Sequence, residues 1–201
     1  MTTKDLFRCI GNLSDGMIEE AADIKRKPRW LPIAALAACA VAWKFGISGE
    51  TAAAALAEFH GAGRRLEYKG SFHGADVYDD YAHHPNELHA LLQAVRLMHY
   101  RRVICAFQPH TYSRTKALFQ SFVDELRTAD QVVLADIYAA REQNTVGVNS
   151  QELAAEIPGA VYCPSLQGVT AYLRENAQPG DIILTVGAGD IYKAGEALFT
   201  E

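Results

Sequence analysis

Apolar and polar positions follow two periods along this chain, and the change between them falls near Gly61 to Arg65. Before it the apolar residues sit in helical blocks. Ala34 to Phe45 is alanine-rich and predicts a helix ended by Gly46; Ser48 is then the N-cap of a second helix with Thr51 to Phe59 as its body. Further upstream the chain is polar and mixed, with Asp15 to Ile24 as a short helix and Lys25 to Arg29 as a solvated break. After the boundary, Leu66 to Lys69 and Ala75 to Asp79, separated by Gly70 to Gly74, predict a β-hairpin. Helical faces then alternate with short buried runs. The face Leu88, Leu91, Leu92, Val95 precedes the strand Val103 to Phe107, and Leu118, Phe119, Phe122, Val123, Leu126 precedes the strand Gln131 to Ala135. Glu152 to Ile157, Val169 to Asn176 and Asp190 to Phe199 predict helices, and Ala160 to Cys163 and Ile182 to Val186 predict strands. Such alternation specifies an α/β fold, a mostly parallel sheet with helices on both faces, here preceded by a small helical N-terminal segment. The expected division is 1–61 and 62–201.

Composition narrows the class without choosing a function. A chain of 201 residues, 49% apolar and 21% charged, is long enough for one globular domain with an appendage. A net charge of −5 argues against nucleic acid or an anionic membrane as partner, while leaving room for a local anion pocket. The four cysteines are scattered without metal spacing, and Cys39 and Cys105 lie in apolar runs and read as core thiols. That usage fits a reducing compartment. Leu31 to Phe45 is too short and too alanine-rich to span a bilayer, and a polar segment precedes it, unlike a secretory signal. A cytoplasmic protein is expected.

The chemistry concentrates at predicted strand ends. Asp79-Asp80-Tyr81-Ala82-His83-His84-Pro85 puts two carboxylates, a phenol and two imidazoles after one strand, at the edge where open α/β sheets bind ligands. Either aspartate can bind backbone amides or accept ribose hydroxyls, and one histidine can cap the helix that Pro85 opens. Adjacent histidines diverge, so no metal site is expected from them. Gln108-Pro109-His110-Thr111-Tyr112-Ser113-Arg114 follows the next strand, and Arg114 offers a fork for a carboxylate or a surface pair with Asp124 or Glu125. Arg64-Arg65 reads as a surface pair or, beside Asp80, as a phosphate or ribose contact. Gly187-Ala188-Gly189-Asp190 is a partial glycine turn able to bring amides near an anion. Neither GxxxxGK[ST] nor GxSxG occurs in these residues.

Taken in order, Gly63 to Glu67, Asp79 to Pro85, Phe107 to Thr115, Asp136-Ile137-Tyr138-Ala139-Ala140-Arg141-Glu142 and Gly187 to Tyr192 resemble the Mur ligase family. The FQPHTYSR segment resembles its branch acting on UDP-N-acetylmuramate and L-alanine in peptidoglycan synthesis. The resemblance covers roughly Ala35 to Glu201. It implies the Rossmann-like C-terminal domain of such a ligase, with residues 30–60 as the end of its central domain. It also implies ATP with Mg2+, largely held by domains outside these residues, and contact of Arg65 and Asp80 with ATP, Asp80 through the ribose. Tyr81, His83, His110 and Arg114 would surround L-alanine, Arg114 holding its carboxylate, and UDP-N-acetylmuramate would bind only with the other domains. Lacking the P-loop, these residues alone are expected to be inactive. Two departures stand out. Trp30-Leu31-Pro32-Ile33-Ala34-Ala35 replaces the family's HNxxNA, and Thr111 stands where an arginine often follows the histidine. The alternatives are a non-catalytic binding or regulatory module, a truncated-gene product, or a domain of a ligase recycling murein tripeptide.

Overall fold

A computed structural model of the chain describes residues 31–58 and 63–200. These fall into two units divided between His60 and Gly61, each described by itself. The expected helix Asp15 to Ile24 and the basic break after it lie outside the described residues.

In the first unit, α1 (Leu31–Lys44) begins with Pro32 in its first turn, where a missing N–H costs nothing. Gly46, at φ +76°, ends this helical run in the left-handed conformation that suits glycine. The side chain of Ser48 accepts the amide of Thr51 at 3.2 Å and caps α2 (Gly49–Ala57) as its sequence predicts. No residue of α2 is buried, and Trp43 and Phe45 are 79% and 80% exposed. Cys39 is only half-buried, which corrects its assignment as a core thiol: within the described residues this helix pair has too little packing partner to enclose it.

The second unit is a six-stranded sheet. β1 (Glu67–Phe72) and β2 (Ala75–Asp80) form the antiparallel hairpin, with the turn tightened to His73 and Gly74 because β1 runs two residues past Gly70. The remaining strands, β3 (Arg102–Phe107), β4 (Gln131–Leu134), β5 (Val161–Tyr162) and β6 (Asp181–Val186), join β2 in parallel in the order β1-β2-β6-β3-β4-β5. Between them run α3 (Pro85–Arg96), α4 (Tyr112–Ala117), α5 (Phe119–Leu126), α6 (Ser150–Ala155) and α7 (Leu166–Asn176), and α8 (Tyr192–Glu196) follows β6. α4 is a separate helix that the apolar period does not announce, since its six residues bury only Thr115.

Strand residues point alternately to two cores. Val103, Cys105 and Phe107 of β3, with Ile182, Leu184 and Val186 of β6, meet α3, α5 and α6 on one face. Ile104, Ala106 and Ile183 meet α7 and α8 on the other. Each fully buried aliphatic or aromatic side chain contributes about 1.5–3 kcal/mol. Burial pushes the Cys105 thiol up to about 12.

This topology creates the ligand edge. The ends of β2, β6, β3 and β4 share one register row, Asp80 to Val186 to Phe107 to Leu134. The helices after β2 and β3 pack on one face, while α8, after the intervening β6, packs on the other. Adjacent strands whose connections leave in opposite directions open a crevice at their carboxyl ends.

Candidate functional site

Four loops meet at that crevice, and a single arginine ties three of them. Arg64 donates from Nε to Asp79 Oδ2 at 2.8 Å, from Nη2 to Gly187 O at 2.6 Å and from Nη1 to Gly189 O at 3.1 Å. Its guanidinium lies between the rings of Tyr81 and Tyr192, 4.9 and 4.7 Å from their centroids. Its carbonyl accepts the Tyr81 amide at 2.8 Å. Asp79 is 1% exposed and gives its second oxygen to Thr185 Oγ1 at 2.9 Å. Asp79 and Arg64 are therefore structural: the first carboxylate of the pair is consumed inside the protein. The dipeptide's composition does not mark which arginine turns inward, and the family resemblance names Arg65 alone as the nucleotide contact. Arg65 is exposed, 5.6 Å from the Tyr81 ring, on the rim of the crevice.

Asp80 takes the Leu66 amide on Oδ2 at 2.7 Å and the Ala82 amide on Oδ1 at 2.8 Å. Burial raises its pKa, opposed by those two amides and by the Arg65 charge. Each oxygen keeps a second lone pair, so the carboxylate can accept further hydroxyl donors.

Three amides at the glycine turn are taken up within the protein. The Gly187 amide donates to Asp80 O at 3.0 Å, and those of Asp190 and Ile191 donate to Gln108 Oε1 at 2.9 and 3.1 Å. Gln108, 6% exposed, also donates to Asp190 Oδ1 and so ties this turn to the end of β3.

The imidazoles converge. His83 Nδ1 lies 3.0 Å from Tyr81 O, and the His83 and His110 rings are 6.0 Å apart. His110 stacks on Tyr138 at 5.5 Å and 20°. The Arg114 guanidinium lies against it, with Nη1 3.4 Å from Nδ1, and pairs with neither Asp124 nor Glu125. Burial, then the charges of Arg114 and His83, lower the His110 pKa, with Glu142 opposing. The fold thus binds that proton less readily than the open chain does. His110's contribution is complete above the ordinary histidine value of about 6.5 and is lost as pH falls below it. His84 takes the bland role: it caps α3, accepting the Asn86 amide, while Glu87 receives the amides of His83 and His84. Of the residues predicted for the site, Tyr81, His83, His110 and Arg114 are linked by neighbouring contacts, with Arg65 and Asp80 beside Tyr81.

An α/β domain with a crevice of this composition at its strand ends has a family. The profile described as "Mur ligase, glutamate ligase domain" matches residues 64–189, and the chain belongs to that family. It is 48% identical over 167 residues to the UDP-N-acetylmuramate–L-alanine ligase of Lachnospira eligens, which spans 81% of this chain and 36% of that protein. Among solved structures it resembles the UDP-N-acetylmuramate–alanine ligase of Thermotoga maritima, with TM-score 0.64 and 26% identity, over 82% of this chain and 35% of that one. It also resembles a murein peptide ligase of Psychrobacter arcticus, with TM-score 0.56 and 25% identity, over 83% and 35%. The chain spans little more than a third of the curated relatives it matches.

Proposed function

We propose that residues 63–200 are the amino-acid-receiving domain of an ATP-dependent ligase joining L-alanine to UDP-N-acetylmuramate. The observation that carries this reading is the convergence of Arg114, His110 and His83 at one crevice, beside a carboxylate and an exposed arginine able to meet a nucleotide. L-Alanine is small and zwitterionic. Arg114 presents a planar fork to its carboxylate. His110, held toward its neutral form by burial, can accept a proton from the ammonium at a ring nitrogen, and His83 and Tyr81 supply further polar atoms within the same ring of contacts. Only the free amine attacks a carbonyl carbon, so proton removal beside the reacting centre is the step these residues serve. Arg65 and Asp80 would take the nucleotide, Asp80 through its unused lone pairs to the ribose.

Among the described residues no group of three or more His, Cys, Asp or Glu side chains is placed to hold a metal ion. Asp79 is consumed by Arg64 and Thr185, which leaves Asp80 as a single carboxylate rather than a ligand set. These residues do not fit Mg2+ ligation, and no step through the ion is assigned to them. Phosphate activation of a carboxylate likewise has no P-loop in this sequence.

The 201-residue chain alone is therefore expected to give no ATP- and UDP-N-acetylmuramate-dependent ligation of L-alanine. Release of ADP together with the amide product by the isolated chain would overturn that part of the reading. The murein peptide ligase likeness offers a second acceptor chemistry, but the 48% identity is to an alanine-adding relative. Competition between L-alanine and murein tripeptide at the crevice separates the two.

A further inference from the structure

The segment Asp136 to Glu142, which follows β4, lies across the turn that carries His110 and Arg114. Tyr138 donates its amide to Pro109 O at 2.8 Å and accepts the Thr111 amide at 2.9 Å, making a parallel bridge between His110 and Tyr138. Within this turn Thr111 sits at φ +67° and ψ 143°, a region that side chains with a Cβ rarely occupy. Such a conformation is strained and persists only where the surroundings enforce it. Thr111 holds the N-cap position of α4, yet its side chain makes no capping bond. Glu142 makes that bond from outside. Its Oε2 accepts the Ser113 amide at 2.9 Å, and its Oε1 accepts the Ser113 hydroxyl. The strained peptide is thus pinned on both sides, by Tyr138 before it and Glu142 after it.

We infer that Glu142 is a positioning residue, a latch that holds Thr111 in its strained conformation and so aims His110 and Arg114 into the crevice. The inference rests on the reading that those two side chains receive the amino acid. It also gives Glu142 a second effect. The charged groups acting on His110 are Arg114 from α4, His83 from the turn before α3, and Glu142 from this segment, and only Glu142 favours the protonated imidazole.

The test uses the complete chain with Glu142→Ala, Glu142→Gln, Thr111→Gly and the Thr111→Gly/Glu142→Ala pair. NMR follows the His110 ring titration, the His110–Tyr138 ring contact and exchange of the Ser113 amide. Glu142→Ala is expected to raise Ser113 exchange by roughly fivefold to tenfold, the scale of a lost side-chain cap. It should also lower the His110 midpoint and weaken the ring contact. Glu142→Gln should lower the midpoint while retaining more of the amide protection. Because Thr111→Gly removes the strain that the latch opposes, Glu142→Ala should disturb the ring contact less in that background. An unchanged His110 midpoint and ring contact in Glu142→Ala, or an undiminished effect in the Thr111→Gly background, would overturn the latch. If the wild-type chain binds L-alanine, Glu142→Ala should weaken that binding several-fold. If it does not, the amino-acid reading fails, and the three NMR readouts still decide whether Glu142 orients His110.

Discussion

Replacing Arg64 with alanine is expected to cost the α/β domain about 3 kcal/mol, read as a lower urea midpoint at unchanged slope. Asp79 is the reason. It is 1% exposed, its partners are Arg64 Nε and Thr185 Oγ1, and the substitution leaves a buried carboxylate without its counter-charge. Removing one member of a buried pair costs about 3–5 kcal/mol, and the lower end applies because Arg64's side chain is 24% exposed. Two carbonyls, Gly187 O and Gly189 O, lose their donors in the same step. Lysine should restore little, since one ammonium cannot span the carboxylate and both carbonyls as the fork does. Arg65→Ala, by contrast, should stay within about 0.5 kcal/mol of the parent, because its side chain is exposed and has no hydrogen bond among the described residues. Equal effects at the two arginines would contradict the division between a buried tie and a rim residue.

Gly187→Ala is expected to be nearly as damaging. Gly187 has φ +150°, and a Cβ built there would stand 2.7 Å from the backbone oxygen of Gln108. Backbone cannot swing aside as a flexible side chain can. Conformational strain of about 1–3 kcal/mol and overpacking of a similar size both apply. Gly189 differs: a Cβ there would meet the Gln108 amide oxygen and the Tyr138 ring, which are side chains rather than backbone. Calorimetry of Gly187→Ala should show a transition lowered by several degrees, with loss of the His110–Tyr138 ring contact if the turn shifts Gln108. A parent-like transition would show that the turn at the end of β6 is not locked against β3.

Period and punctuation made most of this fold legible. The buried runs at Val103 to Phe107 and Ile182 to Val186, and the helical face Leu88 to Val95, carry both period and length, and each becomes the predicted element. α4 escaped because six largely exposed residues carry no apolar period. The site was legible as residue types at strand ends, and His83, His110 and Arg114 do meet there. The allocation of roles within pairs was not legible in residue types. These do not separate Asp79 from Asp80 or Arg64 from Arg65; the family resemblance singles out Arg65 and Asp80, and the fold bonds Arg64 and Asp79 to each other. The role of the glycine turn was hidden for a related reason. Its amides look free until Gln108, from the end of another strand, is placed against them. Glu142 lies 29 residues from Ser113, beyond the reach of any local pattern.

Reception of an amino acid at this crevice, through Arg114 and the two histidines, is open to a direct measurement. The isotope-labelled 201-residue chain is titrated with L-alanine and followed by NMR. Saturable shifts are predicted at His83, His110 and Arg114, and these should disappear in Arg114→Ala while the core resonances of that variant stay in place. Shifts confined to other parts of the chain, or the same shifts persisting without Arg114, would contradict it.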